Sequence, residues 1–163
     1  MPELDWQSWL TLWVFTPLFV MIAWTDFTQM RIPNLYCLLG GAVVLVTAPF
    51  PDWNQLLLRL LVAAACFAIC FGLFAAGWLG GGDAKILPIV FAAIPVPVVS
   101  TYLLILAGCM AAGLIGMSLF RRLARQTSPH IKSTAQSREF PLGIAIGSSG
   151  VILAIWSATA LWF

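Results

Sequence analysis

The chain has 163 residues, 61% of them hydrophobic and 9% charged, with a formal net charge of +2. Soluble domains carry about 25% charged residues, and the mean hydropathy here is +0.98. Composition therefore excludes an ordinary soluble domain, names the lipid bilayer as a partner, argues for no nucleic acid, and sets no oligomeric state.

The first five residues, with Glu3 and Asp5, are acidic and lack the basic start of a signal peptide. The first apolar run, about Trp9 to Thr25 with a kink at Pro17, is therefore expected to remain as a membrane span. A second, short run comes after Ile32-Pro33-Asn34 and stops before Pro49-Phe50-Pro51-Asp52. The third goes from about Leu56 to Leu79. The fourth, Ile86 towards Val99, contains Pro88, Pro95 and Pro97. The fifth goes from about Thr101 to Phe120, and the sixth from about Leu142 to Phe163. Between the last two, Arg121 to Glu139 is rich in Ser, Thr, Gln, Arg and Pro and reads as a polar loop over 121–141.

Charge selects the topology. With six crossings and the N-terminus outside, segments 26–34, 80–85 and 121–141 share the cytoplasmic side. They hold Arg31, Lys85, Arg121, Arg122, Arg125, Lys132 and Arg138, leaving only Arg59 elsewhere among the 8 basic residues. Glu3, Asp5 and Asp52 fall outside. If the fourth run failed to cross, the basic 121–138 loop would move outside. The expected fold is thus one all-α membrane domain over 1–163 with six transmembrane helices. Trp6, Trp9, Trp53 and Trp162 would lie in the outer aromatic belt, and Trp24 and Trp78 in the inner one.

Two carboxylates stand out against this apolar background. Asp26 ends the first run, and Asp83 comes directly after Gly80-Gly81-Gly82. In the six-span topology both reach the same membrane face. Carboxylates brought close do not both ionise readily, so the pair can share a proton and supply a general base and a general acid together. Such a dyad hydrolyses peptides through an activated water, without a cofactor. Either aspartate alone can equally be a helix-flanking carboxylate. The glycines can take backbone angles closed to other residues, and they leave room for a substrate strand beside Asp83; alone they also fit a loose turn. Asn34 reads as a helix N-cap, with Pro33 before it. Lys85 can bind a substrate carboxylate, tune the pair or anchor the chain at the interface; Arg31 reads as such an anchor.

The remaining polar chemistry is sparse. His130 is the single histidine, which leaves no His-based metal set, and no serine sits in a nucleophile elbow. Cys37, Cys66, Cys70 and Cys109 lie in apolar runs without a CxxC pair and read as small apolar residues.

The segment Asp26 to Asn34 resembles the Asp-x6-Pro-Asn element of type IV prepilin peptidases. Gly80-Gly81-Gly82-Asp83 matches their GxGD motif, and Ala84-Lys85 is similar to the pair that usually comes next in that family. Phe140-Pro141-Leu142-Gly143 is similar to their Pro-x-Gly segment at the start of the last span. The resemblance implies six membrane helices in a bacterial inner membrane and catalytic roles for Asp26 and Asp83. Gly80, Gly82, Lys85, Pro33, Asn34, Pro141 and Gly143 would support them. It also implies cleavage of a short basic leader from a prepilin or pseudopilin at the cytoplasmic face. The large bacterial members carry a segment with paired CxxC motifs, absent here, so N-methylation is not expected. The small size is similar to the peptidases of Flp/Tad pilus systems. Archaeal preflagellin peptidases share the core motifs, whereas presenilin-like proteases share only the general GxGD and lack the Pro-Asn element. Two other readings of the aspartates are an ion- or proton-coupled membrane component and a catalytically silent assembly factor. For the first, carboxylates at bilayer mid-depth would be diagnostic; here both lie at span ends.

Overall fold

The computed structural model describes the backbone of residues 6–29, 31–47, 53–127 and 142–160. Glu3, Asp5, Asp52, His130, Pro141, Trp162 and most of the 121–141 segment lie outside the described residues. Six α-helices form, and there is no strand among the described residues. In hydrocarbon a helix satisfies every backbone polar group within its own segment, so long apolar runs adopt it.

The first helix, α1, spans Trp6–Gln29 and passes through Pro17. Its threonines do not break it, because their hydroxyls donate back to its own carbonyls. Thr16 donates to Leu12, Thr25 to Met21 and Thr28 to Trp24. Pro33 biases Ile32 away from helical angles and separates α1 from α2, Asn34–Thr47. The third helix, α3, covers Trp53–Ala75. It stops short of the expected Leu79 because Gly77 adopts a left-handed φ of 74°. The Trp78 N–H then donates to Leu73 O and the Gly77 N–H to Phe74 O, both at 2.9 Å, closing a Schellman turn.

The fourth helix departs most from expectation. It is α4, Gly81–Ala93, so it starts inside the glycine run rather than at Ile86. Pro88 lies within it, and Pro95 terminates it by holding Ile94 extended (φ −90°, ψ 133°). A 3-10 turn, Val96–Val98, then leads into α5, Val99–Thr127. Part of the segment expected as loop, 121–127, is therefore helical. Leu, Arg, Ala and Gln are strong helix formers, so the helix outlasts the apolar stretch. The last helix, α6, is Leu142–Ala160.

Four of these elements have segments long and apolar enough to cross a membrane: Trp9–Gln29, Trp53–Ala75, Val96–Gly116 and Leu142–Thr159. The helices α2 and α4, with 14 and 13 residues, are shorter. At 1.5 Å per residue they extend about 20 Å, against about 30 Å of hydrocarbon. Four spans, rather than six, meet the length requirement.

Packing brings four helix ends together. The Trp13 indole N–H donates to Ser157 at 3.0 Å, and the Ile144 N–H donates to Asp26 at 3.3 Å, so α1 and α6 are antiparallel. At the far end the Thr11 hydroxyl donates to Thr47 O at 2.9 Å, setting α2 antiparallel to α1. The helix α4 packs against α2 and α3, and α5 against α6. The end of α1 and the starts of α2, α4 and α6 thus share one edge of the bundle. Below it, Ile86, Val90 and Phe91 of α4 are buried, and Phe91 meets Tyr102 of α5 edge-on at 5.6 Å. Trp24, Trp53 and Trp78 face outward as belt residues do, but Trp9 is buried at 5% exposure against Trp156.

Candidate active site

Asp26 lies one turn before the end of α1 and is 6% exposed. Its carboxylate meets the start of α6, where the Ile144 N–H donates to Oδ2 at 3.3 Å and the Gly143 N–H also bonds it. The first N–H groups of a helix lack intrahelical acceptors and carry the positive end of its dipole, so a carboxylate is well matched there. Gly143 is required by space. A Cβ on it would fall 2.7 Å from the Asp26 Cβ, Cγ and Oδ2 atoms.

Asp83 occupies the first turn of α4, the favourable end of its own helix. It lies outside the four candidate spans. Burial, followed by the charge of Asp26, pushes its carboxyl up to about 6. The structure therefore brings the two aspartates within electrostatic reach at the shared edge, each facing a helix N-terminus.

The glycines before Asp83 work differently from the expectation of unusual backbone angles. Gly80 has φ −66° and ψ 143°, open to any residue, and Gly81 and Gly82 are helical. Close approach is what requires them. A Cβ on Gly80 would lie 2.8 Å from the Asp83 Oδ2, and one on Gly82 would lie 3.2 Å from the Ile32 Cβ and 3.5 Å from its backbone nitrogen. The α4 start is thereby seated on the link between α1 and α2.

A second tie joins the same elements. The Lys85 ammonium donates to Asn34 Oδ1 at 3.2 Å in an exposed hydrogen bond. The Asn34 side-chain oxygen, expected to cap α2, instead reaches across to α4. The first turn of α2 is closed by the Tyr36 N–H donating to Pro33 O at 3.0 Å. Pro33 thus shapes the link.

Sequence reasoning missed Ile144, whose backbone N–H is invisible to any side-chain motif. It also missed Gly147 and Gly150. A Cβ on Gly147 would run into Phe19 O and the Ala23 Cβ, and one on Gly150 into the Phe19 ring. Gly143, Gly147 and Gly150 line one face of α6 and let it approach α1 closely. Their small-residue spacing is a legible signal of helix contact. Among the described residues, no group of three or more His, Cys, Asp or Glu gathers as metal ligands. Cys66 and Cys70 are free thiols 3.8 Å apart, one helical turn from each other.

These features define a helical, multi-pass membrane protein with one buried and one half-buried carboxyl at one edge of its bundle. Residues 13–117 match the family model of the type IV leader peptidase family. The chain belongs to that family and is a membrane peptidase whose family substrates are prepilin-like proteins. No curated protein and no solved structure matches it. The matched segment contains Asp26 and Asp83 but ends before α6. The Gly143–Ile144 contribution to the site is therefore carried by the structure and the motif resemblance.

Proposed function

We propose that the chain is an aspartic endopeptidase of a bacterial inner membrane. It removes the short basic leader from Flp-type prepilins at the cytoplasmic face, with Asp26 and Asp83 as its dyad. The observation that carries this reading is the pairing of two carboxyls at one bundle edge, where the charge of Asp26 acts on Asp83 and each lies at a helix N-terminus. The proposed orientation has the N-terminus outside and six crossings. The helix α2 and the run from Ile86 towards Val99 then cross as short segments where the bilayer thins, leaving Asp83 in the cytoplasmic 80–85 segment. In that orientation seven of the 8 basic residues belong to the segments assigned to the cytoplasmic side, which supports it.

The chemistry depends on where charge and proton reside. The negative charge of the half-protonated pair rests on Asp26, beside the Ile144 N–H. The proton rests on Asp83, whose carboxyl titrates at about 6. A water between them gives a proton to Asp26 while its oxygen attacks the scissile carbonyl carbon. Asp83 gives its proton to the carbonyl oxygen. The tetrahedral species collapses as Asp26 passes its proton to the leaving nitrogen and a hydroxyl proton returns to Asp83. The C–N bond breaks, giving a carboxylic acid and an amine with the dyad regenerated. Because the carboxyls titrate together, the pair rather than either residue sets the pH profile.

The test mixes membranes bearing the protein with a Flp-type prepilin and reads the pilin mass. Wild type should release a leader-sized fragment, while Asp26→Asn and Asp83→Asn at equal abundance should not. Cleavage surviving both substitutions would remove the aspartates from the mechanism. No cleavage by wild type across several prepilins would favour an assembly role.

A further inference from the structure

Gly80, Gly81 and Gly82 are consecutive, yet each leaves room for a different neighbour. A Cβ on Gly80 would meet the Asp83 carboxylate, and one on Gly82 would meet Ile32 of the α1–α2 link. For a Cβ on Gly81 the three nearest atoms all belong to the Phe74 ring, with Cε2 at 3.2 Å, Cζ at 3.7 Å and Cδ2 at 3.9 Å. One edge of that ring therefore lies along the first turn of α4.

The ring is carried on a fixed piece of backbone. Phe74 belongs to the last turn of α3, and its carbonyl accepts the Gly77 N–H at 2.9 Å in the Schellman turn. Ala75 and Ala76 come next, and their methyl groups are too short to take its place. Phe74 is 47% exposed and is no member of the buried core, so core packing does not account for a bulky ring at this position.

Helix geometry gives the contact a direction. Successive residues of an α-helix turn by about 100°. Gly82 therefore faces Ile32 about 100° round from the Phe74 ring, and Asp83 projects about 200° round, towards the opposite side. The ring stands behind the first turn of α4, while Asp83 points forward to where the charge of Asp26 reaches it.

We infer that Phe74 is a positioning residue: its ring backs the start of α4 and so holds the Asp83 carboxyl up to Asp26. Its catalytic consequence rests on the leader-peptidase reading above. Without the ring the first turn of α4 recedes into the space behind it. A recession of about 0.5 Å would cost roughly tenfold in rate.

The test compares Phe74→Ala with wild type in membranes containing a Flp-type prepilin. Phe74→Ala should lower kcat by about tenfold with KM near wild type, and Phe74→Tyr, which keeps the ring edge, should retain the rate. Phe71→Ala is the control, because Phe71 is exposed on the same helix and stacks on Phe67. Gly81→Ala sets a methyl against the ring and should itself slow cleavage several-fold, whereas in the Phe74→Ala background it should cost nothing further. Fully additive losses, or equal losses in Phe71→Ala, would overturn the inference. Should Phe74→Ala fail to accumulate, Phe74→Leu, which lacks the outer ring atoms, carries the same comparisons. A second readout needs no cleavage. Carbodiimide reacts with the protonated carboxyl, so labelling of Asp83 across pH, read by mass spectrometry, reports its titration. Burial and then the charge of Asp26 hold that carboxyl at about 6, and both weaken if α4 recedes, so the midpoint should fall towards 3.8 in Phe74→Ala. A shifted midpoint in a protein that never cleaves would refute the protease reading alone. An unmoved midpoint with wild-type cleavage would refute the role of Phe74 alone.

Discussion

Replacing Gly143 with alanine adds one methyl group at the point where α6 touches Asp26, a member of the proposed dyad. That methyl would stand 2.7 Å from the Asp26 Cβ, Cγ and Oδ2, whereas ordinary contact begins at 3.4 Å. Something must give by roughly 0.7 Å. Asp26 is buried and bonded to the Ile144 N–H, so the carboxylate and the α6 start must part together. A shift of about 1 Å in a catalytic group costs on the order of 100-fold in rate. Gly143→Ala should therefore lower kcat by roughly 10- to 100-fold. The KM should stay near wild type, since the change lies at the proposed catalytic carboxylate. Initial rates of prepilin cleavage in membranes, normalised to enzyme abundance, measure the effect. Gly108→Ala is the matched control, because a Cβ there meets nothing within 4 Å. Full activity of Gly143→Ala at normal abundance would refute the argument that the α6 start positions Asp26. An equal loss in Gly108→Ala would show that the effect is not local.

The same contacts carry further outcomes. Gly147→Ala should destabilise the bundle by about 1–3 kcal/mol through overpacking against Phe19 and Ala23; thermal unfolding in detergent would show it as a lowered midpoint. The Asp83 carboxyl sits above its ordinary value of 3.8, at about 6, so the folded chain binds this proton more tightly than the unfolded chain does. Its ionisation therefore costs stability progressively as pH rises from about 4 through about 6. Asp83→Asn should accordingly be more stable than wild type at pH 8, with the difference shrinking towards pH 4; the opposite trend in unfolding midpoints would contradict the assignment. Cleavage by wild type should fall as pH rises through about 6, as the pair loses its shared proton, and a rate flat across that region would speak against a proton-sharing pair. Lys85→Met breaks one exposed hydrogen bond to Asn34. It should cost no more than about 1 kcal/mol of stability, seen as a small drop in the unfolding midpoint, and a loss of rate as deep as that of the aspartate variants would instead place Lys85 on the substrate.

Much of the site was legible in the residues themselves. An aspartate is so costly in an apolar chain that Asp26 and Asp83 announce themselves by type alone, and the basic residues assign them to a common side. The start of α6 at Leu142 was equally readable, because apolar character returns there after a polar segment. Only the tertiary structure decided what surrounds those carboxyls. Hydrophobic patterning reports which residues avoid water, but not how long a helix lasts once Gly77 or Pro95 turns the backbone; hence α3 ended early and α4 came out as a buried, 13-residue element. A motif shows that glycines precede Asp83, yet whether they serve unusual angles or close approach depends on neighbours far along the chain, Ile32 among them. The Ile144 N–H on Asp26 shares that origin. It arises between segments more than a hundred residues apart, where contact is set by which helix faces meet rather than by local sequence.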